Sequence, residues 1–306
     1  MSYTKLFDPA ATAPAPANGG QSRLADRSTN VGYIYAEDVV LSVNLALATG
    51  RPLLVRGPSG TGKSSLARDI AVRTRRMLVE VHMTSRTETQ DLLWQFDAIR
   101  RLQDAQINRL GDDAAYVRPG PFWTAFDPDS AAAQQYVFAG SGEDCPDPAT
   151  LPTGQGAVLL IDEIDKADPD VPNNLLAVLG NLAFPVEPLG QVVTCTRAPL
   201  VVITTNEERE MPAAFLRRCI ELVITFPDTA QLEAIARAHF PEYDPATIAR
   251  LAELAIETMA SERSGVSTAE FLDLVQACAS LGIGIEDPTF AQVIEATLAK
   301  SRAAAR

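Results

Sequence analysis

The hydrophobic positions of this chain follow two patterns, and the change from one to the other falls near residue 227. Up to that point, short and nearly continuous apolar runs alternate with longer amphipathic stretches. Such runs are typical of parallel strands buried on both faces, and the stretches between them indicate helices. Beyond residue 227 the apolar runs stop and amphipathic stretches follow one another. The pattern predicts an α/β domain, with a parallel sheet sandwiched by helices, followed by a small all-helical domain.

The pattern also assigns individual elements. The predicted strands span residues 53–55, 77–82, 157–161, 200–204 and 219–226, with a short hairpin strand at 192–193. The predicted helices span residues 36–48, 65–74, 88–110 in one or two pieces, 171–182, 232–239, 245–261 and 271–281, and a last helix begins at 287. Ser267 and Glu270 have the spacing of a capping box, which marks the start of the helix at 271.

Two segments show neither the strand pattern nor the helix pattern. Residues 1–30 are rich in alanine, proline and glycine, which predicts a flexible tail. Residues 111–156 carry six prolines, so we expect a loop-rich stretch that belongs to an insertion around 97–156. The predicted domains are therefore an α/β domain at 31–227 and a helical domain at 228–306.

Composition narrows the class of protein. The chain has 306 residues, of which 46% are hydrophobic, and its formal net charge is −13. This charge disfavours a general affinity for nucleic acid, although a local basic groove is compatible with it. No apolar stretch reaches the ~18 residues of a membrane span, and the N-terminus lacks a signal-peptide pattern. The four cysteines are scattered, so we expect reduced thiols in a cytoplasmic protein without a membrane partner.

One loop carries the strongest chemical signal. It fits the pattern G-x-x-x-x-G-K-[ST] at every fixed position, with the residues Gly57, Pro58, Ser59, Gly60, Thr61, Gly62, Lys63 and Ser64. The loop stands between a predicted strand and a predicted helix, which is the context that a phosphate-binding loop requires. Glycines let backbone N–H groups approach phosphate oxygens, and the helix N-terminus adds a positive dipole end. Lys63 is suited to the β- and γ-phosphates and Ser64 to Mg²⁺.

A second group of polar residues follows buried strands. Asp162 and Glu163 come at the end of the run 157–161, where open α/β sheets bind ligands. Asp162 is suited to orient Mg²⁺, and Glu163 to accept a proton from an attacking water. Asn206 follows the next strand and is a candidate to hold that water, or else it starts a turn. Arg217 and Arg218 are candidates to stabilise charge on the γ-phosphate of a neighbouring subunit, or else form a solvated pair.

Together these residues resemble the AAA+ superfamily of ring-forming ATPases. The order is a phosphate loop, an apolar strand ending in Asp-Glu, a strand ending in Asn, an arginine pair and a helical lid. Within the superfamily the chain looks most like the MoxR-type branch. The segments that carry this likeness are residues 32–34, 51–58, 120–121, 161–167 and 267–271.

The resemblance implies roles for these positions. Lys63 and Ser64 match Walker A, Asp162 and Glu163 match Walker B, and Asn206 matches sensor 1. Arg217 or Arg218 falls where an arginine finger acts in trans. The segment Gly32, Tyr33 and Ile34 would contact adenine, and Ser65 would adjoin the phosphates. The implied ligands are ATP and Mg²⁺. The implied assembly is a homo-oligomeric ring, usually a hexamer, that remodels a protein client or works with a von Willebrand A-type partner.

Some positions depart from the family or stay open. The start of the third lid helix, residues 265–270, lacks the sensor-2 arginine, and Arg263 lies just outside it. By analogy, Thr84 or Ser85 would hold Glu163 until substrate arrives. Four residues lie near the insertion: Trp94, Phe96, Arg100 and Arg101. They either face a substrate, or the two aromatic residues belong to the core and the two arginines are solvated. We interpret His82 and His239 as structural. Two other functions remain open, a nucleic-acid motor and a nucleotide-gated scaffold with little turnover.

Overall fold

The computed structural model describes residues 3–11, 33–139, 156–260 and 265–298. Gly32 and Arg263 lie outside these residues, as do most of the predicted tail and the segment 140–155. The contacts within the chain group the described residues into two units. The first unit contains residues 3–11, 37–55, 70–139 and 156–222. The second contains residues 33–36, 56–69, 223–260 and 265–298, so the phosphate-binding loop is grouped with the helical region.

A five-stranded sheet organises the first unit, with the strand order β2-β5-β8-β1-β9. Its strands are β1 (Leu53–Arg56), β2 (Met77–His82), β5 (Ala157–Asp162), β8 (Leu200–Thr205) and β9 (Ile220–Val223). Every residue of β5 and β8 is buried, as expected for strands covered on both faces. The fold class predicted from the hydrophobic pattern, a parallel sheet between helices, is confirmed.

The register of the parallel strands decides which residues meet at the carboxyl edge of the sheet. His82 of β2 lies opposite Asp162 of β5. On the other side of β5, Ile161 lies opposite Ile203 of β8, so the residues that follow them are also neighbours. Asp162 is therefore placed between His82 and Thr204.

Helices cover the sheet and fill the first unit. They are α1 (Glu37–Thr49), α3 (Thr89–Leu93), α4 (Ala98–Gln106), α5 (Pro121–Phe126), α6 (Pro128–Ala139), α7 (Val171–Asn181) and α8 (Ala213–Leu216). Two small antiparallel sheets complete the unit, formed by β3 (Trp94–Phe96) with β4 (Val117–Pro119) and by β6 (Ala183–Val186) with β7 (Gln191–Thr194).

The expectation of a loop-rich stretch at 111–156 is wrong for its described part. Residues 121–139 form α5 and α6, and α5 packs on β2 and β5. Phe122, Trp123 and Phe126 are among the most buried side chains of the unit. Pro121 and Pro128 stand at the first positions of their helices, where proline is favoured because no N–H is needed there. These two prolines therefore mark helix starts rather than loops.

The segment 88–110 also differs from the predicted helix. The strand β3 separates α3 from α4, and Trp94 in it is a core residue whose Nε1–H donates to the Pro185 carbonyl. Phe96 packs partly buried against the same core. The Arg100 guanidinium donates to the Phe138 carbonyl and lies over the Tyr116 and Phe138 rings, so it is not simply solvated.

The second unit contains the phosphate-binding loop, the start of α2 and four further helices. Its elements are α2 (Lys63–Thr74), which continues beyond residue 69, α9 (Thr229–His239), α10 (Pro245–Ala260), α11 (Thr268–Leu281) and α12 (Phe290–Leu298). Asp228 and Ser267 begin α9 and α11 with complete capping boxes, as predicted for Ser267. The core between these helices is apolar and includes Leu251, Phe271 and Leu274.

Residues 3–11 do not fit the prediction of a flexible tail. Phe7 is 2% exposed, and its N–H and carbonyl both bond to the side-chain amide of Asn44 on α1. The Asn44 amide oxygen also accepts the N–H of Leu6, and Arg73 donates to the Pro9 carbonyl. A buried aromatic ring with satisfied backbone groups anchors this segment, although its composition resembles a linker.

Two other expectations concern the surroundings of the protein. None of the helices within the described residues is long and apolar enough to cross a membrane. Cys195, Cys219 and Cys278 are free thiols. A cytoplasmic location stays a prediction.

We predict that Phe7→Ala lowers the free energy of unfolding by about 3 kcal/mol, because it removes a buried ring from the first unit. Leu6→Ala is the matched control, since this neighbouring side chain is 61% exposed and its loss should cost under about 0.5 kcal/mol. Urea unfolding of both variants measures the difference. Equal and small effects would mean that the segment does not pack on α1 in solution.

Candidate functional site

The two predicted Walker B residues lie at the carboxyl end of β5, next to the end of β8. Asp162 is the last residue of β5 and is 7% exposed. The Thr204 hydroxyl donates to Asp162 Oδ1 at 2.5 Å and accepts the N–H of Glu163 at 2.9 Å. One buried hydroxyl therefore bonds both predicted Walker B residues. The backbone of Glu163 is left-handed, with φ of 58°, a strained conformation for this residue type that is common at functional sites.

Both carboxylate oxygens of Glu163 have a partner. Oε1 accepts a hydrogen bond from Asn206 Nδ2 at 3.1 Å, and Oε2 accepts one from Lys166 Nζ at 2.7 Å. The hydrogen bond with Glu163 raises the pKa of Lys166. Because both partners are polar and partly exposed, their bonds can exchange with water at small cost. The candidate base is thus oriented from two sides.

A buried aspartate holds the loop after β8 in place. Asp165 is 2% exposed, and its Oδ2 accepts the N–H groups of Asn206 and Glu208, each at 3.1 Å. Between these two residues, Glu207 has a φ of 63°, so the loop turns sharply here. These bonds connect the turn after β5 to the residue that contacts Glu163. The Asp165 carboxylate therefore positions Asn206.

His82, interpreted from the sequence as structural, has an exposed side chain next to two carboxylates. Its Nδ1 lies 3.1 Å from Asp162 Oδ2, and its Nε2 lies 3.1 Å from Glu80 Oε1. One ligand atom from each of these three residues lies within 4.8 Å of the others. A mixed nitrogen and oxygen set suits zinc-like ions, whereas Mg²⁺ prefers oxygen donors. The Asp162 carboxylate and the Ser64 hydroxyl have the chemistry that Mg²⁺ requires, so these residues fit the implied ion.

The phosphate-binding loop belongs to the second unit. Lys63 begins α2, and its ammonium donates to the carbonyls of Gly57 at 2.7 Å and Pro58 at 2.6 Å. Gly57 has a φ of 145°, and a Cβ there would come within 2.0 Å of the Ile224 carbonyl oxygen. Only glycine fits this close approach. The loop is therefore tightly formed, with its lysine turned back over it.

The segment predicted to contact adenine is held by α2. Asp69 on α2 accepts the Tyr33 N–H at 3.1 Å and the Tyr35 hydroxyl at 2.6 Å. A Cβ on Gly62 would lie 3.4 Å from the Tyr33 ring, so this ring is next to the loop. Ile34, between the two tyrosines, is exposed. The structure brings Tyr33 beside the phosphate-binding loop within the same unit.

The first turn of α11 contacts the phosphate-binding loop directly. The Ala269 N–H donates to the Gly60 carbonyl at 3.2 Å. A Cβ on Gly60 would come within 2.8 Å of the Ser267 hydroxyl. The capping-box segment, which lacks a sensor-2 arginine, therefore does more than begin a helix. It contacts the loop through its backbone and through Ser267.

The arginine pair lies at the end of α8 in the first unit. Arg217 and Arg218 are exposed, while Phe215 and Cys219 on either side are buried. Burial raises the pKa of the Cys219 thiol to about 12. Within the described residues, neither guanidinium has an ion pair or side-chain hydrogen bond. Both side chains are equivalent in this respect, so the choice between them stays open.

The sequence patterns missed several residues of these two groups. Thr204, Asp165, Lys166 and Asp69 all contact predicted residues. A signal existed for Thr204, because a hydroxyl buried at the end of a strand requires a hydrogen-bonding partner. The resemblance suggested Thr84 or Ser85 as the partner of Glu163, but the Thr84 hydroxyl bonds to Thr87. The structure instead gives Asn206 and Lys166 as the partners of Glu163.

Comparison with known proteins agrees with this arrangement. The family described as AAA domain (dynein-related subfamily) matches residues 52–219, which is more than half of the 306 residues. The matched region includes the phosphate-binding loop, Asp162, Glu163 and Asn206, and it ends just after the arginine pair.

Two curated relatives are similar over part of the chain. The gas vesicle ATPase GvpN of Haloferax mediterranei is 25% identical over 206 residues, which is 65% of this chain and 53% of that protein. The ABC transporter ATP-binding protein RamB of Streptomyces coelicolor is 36% identical over 115 residues, which is 36% of this chain and 18% of that protein. The chain thus spans about half or less of the length of these relatives.

Solved structures of RuvB from Thermotoga maritima are also similar. A mutant of RuvB is 14% identical with a TM-score of 0.49, and the alignment covers 85% of this chain and 68% of that chain. The RuvB Holliday junction branch migration motor is 16% identical with a TM-score of 0.47, covering 86% and 70%.

We predict that Thr204→Val lowers the free energy of unfolding by about 1–3 kcal/mol, because valine leaves Asp162 Oδ1 and the Glu163 N–H without this partner. Thr204→Ser is the control, since it keeps the hydroxyl and should retain most of the stability. Chemical denaturation of both variants makes the comparison. A valine variant as stable as the serine variant would show that the hydroxyl bridge contributes nothing.

Proposed function

This chain belongs to the AAA domain family of the dynein-related subfamily, and from that premise we propose that it is a MoxR-type ATPase. In this proposal it binds ATP with Mg²⁺, hydrolyses the bond between the β- and γ-phosphates in a ring of identical subunits and uses the energy to remodel a partner protein. The observation that carries the proposal is the Glu163 carboxylate, held by Asn206 at the end of a buried strand next to Asp162. The relatives that are named as an ATPase and an ATP-binding protein also support nucleotide use.

The proposed nucleotide contacts follow from the second unit. Backbone N–H groups of the loop 57–62 and the start of α2 would bind the phosphates, because a helix N-terminus attracts anions. The Lys63 ammonium would exchange its bonds to the Gly57 and Pro58 carbonyls for bonds to phosphate oxygens. Tyr33 and Ile34 would contact the adenine. Ser64 and Asp162 would hold Mg²⁺, which supplies positive charge against the phosphate oxygens.

The proposed chemistry belongs to Glu163. A general base must accept a proton from the attacking water through an oxygen lone pair. Each carboxylate oxygen of Glu163 accepts one hydrogen bond and has a second lone pair that can accept a proton. The bond to Lys166 is the weaker constraint on the carboxylate, because that side chain is 43% exposed and its stem is flexible. Asn206 then remains to orient the carboxylate or the water.

Charge that develops on the phosphoryl group needs a cation. We assign this role to Arg217 or Arg218 of a neighbouring subunit. Their exposure and their freedom from ion pairs within the described residues support action outside their own subunit. A guanidinium from a neighbour makes turnover depend on ring assembly.

The proposal of a protein partner is supported by the orientation of α4. The less exposed side of this helix is polar, since the Arg100 guanidinium donates to the Phe138 carbonyl and Asp104 accepts the Tyr116 hydroxyl. The apolar residues Ile99 and Leu102 are 73% and 62% exposed. Such an arrangement is the reverse of an ordinary surface helix and favours contact with an apolar segment of another protein. A client segment or a von Willebrand A-type partner is the proposed occupant.

We predict that Glu163→Gln retains ATP affinity within about threefold but lowers kcat by about 100-fold or more, because it removes only the base. Lys63→Ala should instead weaken ATP binding by about tenfold or more, since it removes a charge-assisted contact. Fluorescent-nucleotide titration and phosphate release measure the two effects separately.

The control for the first variant is Glu207→Gln, which changes a carboxylate in the adjoining loop. Normal turnover by Glu163→Gln would refute the assignment of the base. ATP binding without phosphate release by the unmodified protein would refute the ATPase and favour a nucleotide-gated scaffold.

We predict that Ile99→Asp with Leu102→Asp weakens binding of an unfolded polypeptide by about tenfold, because two apolar side chains lose their contact. The affinity is measured by fluorescence polarisation of labelled unfolded casein in the presence of ATP. All the proteins compared also carry Glu163→Gln, so that ATP stays bound. Leu281→Asp is the control, since Leu281 on α11 is 67% exposed and lies away from α4 in sequence. Equal binding by all three proteins would rule out this face.

A further inference from the structure

Arg51 bonds to the backbone of the arginine pair. It lies between α1 and β1, and its Nε donates to the Arg218 carbonyl at 3.1 Å. Its Nη2 donates to the Arg217 carbonyl. The next residue, Pro52, accepts the Ile220 N–H at 2.8 Å. All of these residues belong to the first unit, and they join the start of β1 to the end of α8.

The end of α8 needs these bonds. This helix has a single turn, and the N–H groups of Arg217, Arg218 and Cys219 are satisfied by carbonyls that precede them. The carbonyls of Arg217 and Arg218 point beyond the helix, where they require donors from elsewhere. The planar guanidinium of Arg51 supplies two donors at fixed spacing, one for each carbonyl. A lysine has a single ammonium on a flexible stem and does not reproduce this fork.

Buried side chains on either side of the arginine pair also fix its backbone. Phe215 is fully buried before the pair, and Cys219 is 5% exposed after it. The backbone of residues 215–219 is therefore fixed by two buried side chains and by Arg51. In contrast, the Arg217 and Arg218 side chains extend into solvent without a partner among the described residues. A group that must reach another subunit works best from such a rigid base, because misplacement by about 1 Å can cost a factor of about 100 in rate.

We propose that Arg51 is a positioning residue for the arginine finger. It holds the main chain of Arg217 and Arg218 so that one of their guanidinium groups reaches the nucleotide of the next subunit. This inference rests on the proposed function, because it assumes that the arginine pair acts in trans. It assigns Arg51 no contact with the nucleotide of its own subunit.

A subunit-mixing experiment tests this assignment. The donor subunit carries Glu163→Gln, so it offers its arginines but has no base. The acceptor subunit carries Arg217→Ala and Arg218→Ala, so it has a base but no finger. Each protein alone should release little phosphate, and their mixture should recover turnover. Adding Arg51→Met to the donor should lower the recovered turnover by about 10- to 100-fold. Adding the same change to the acceptor should alter it by less than about twofold, because that subunit has no finger to position.

A second variant and a second readout guard against misfolding. Arg51→Lys in the donor should give an intermediate loss, since it keeps the charge but only one donor site. Thermal unfolding and nucleotide affinity of each donor should stay close to those of Glu163→Gln. The KM for ATP should also be unchanged, because the finger acts on the transition state rather than on binding.

The outcomes separate this inference from the proposed function. If the unmodified mixture recovers no turnover, the arginine pair does not act in trans, and both proposals are overturned. If that mixture recovers but Arg51→Met lowers turnover equally in donor and acceptor, Arg51 has a general structural role and only the present inference fails. If Arg51→Met lowers turnover only when it is in the acceptor, Arg51 acts on the nucleotide site of its own subunit. This outcome also overturns the present inference alone.

Discussion

The parallel pairing of β5 with β8 is the constraint on which the rest of the candidate chemistry depends. Both strands are buried on both faces, so their register cannot shift without exposing apolar side chains or burying polar ones. This register brings Asp162 next to Thr204, and the Thr204 hydroxyl then bonds the carboxylate of one acidic residue and the N–H of the next. The burial of the apolar side chains of β5 and β8 thus fixes the position of the Thr204 hydroxyl.

Strained backbone conformations and the hydrogen bonds that support them occur together after β5 and β8. Glu163 and Glu207, one after each strand, both adopt left-handed backbone conformations that are uncommon for glutamate. The surrounding bonds compensate for this strain, since Asp165 accepts two N–H groups of the second loop and Thr204 accepts that of Glu163. The result is a carboxylate, that of the proposed base Glu163, whose orientation is set by its neighbours. Such preorganisation is how buried polar groups contribute to catalysis at low cost during the reaction.

The second unit shows how a departure from a family pattern is accommodated. The start of α11 lacks an arginine, yet its first turn contacts Gly60 through the Ala269 N–H and lies against it through Ser267. A backbone bond is independent of side-chain identity, so no residue pattern reports it. The partners of the Arg51 side chain are also backbone groups, the carbonyls of residues more than 160 positions away, so no residue pattern reports them either. Contacts to backbone groups at long sequence separation are the class of interaction that pattern analysis misses most readily.

From the sequence alone, the parallel sheet, the helical region after it and the phosphate-binding loop could be predicted, because apolar periodicity and glycine spacing are local properties of the chain. The helices α5 and α6 and the docked segment 3–11 could not, since proline at a helix start resembles proline in a loop and one buried phenylalanine has no periodicity. Only the tertiary structure decided that Thr204, Lys166 and Asn206 surround the acidic pair. The reason is physical: these contacts are set by strand register and by turns between distant segments, which no local pattern encodes.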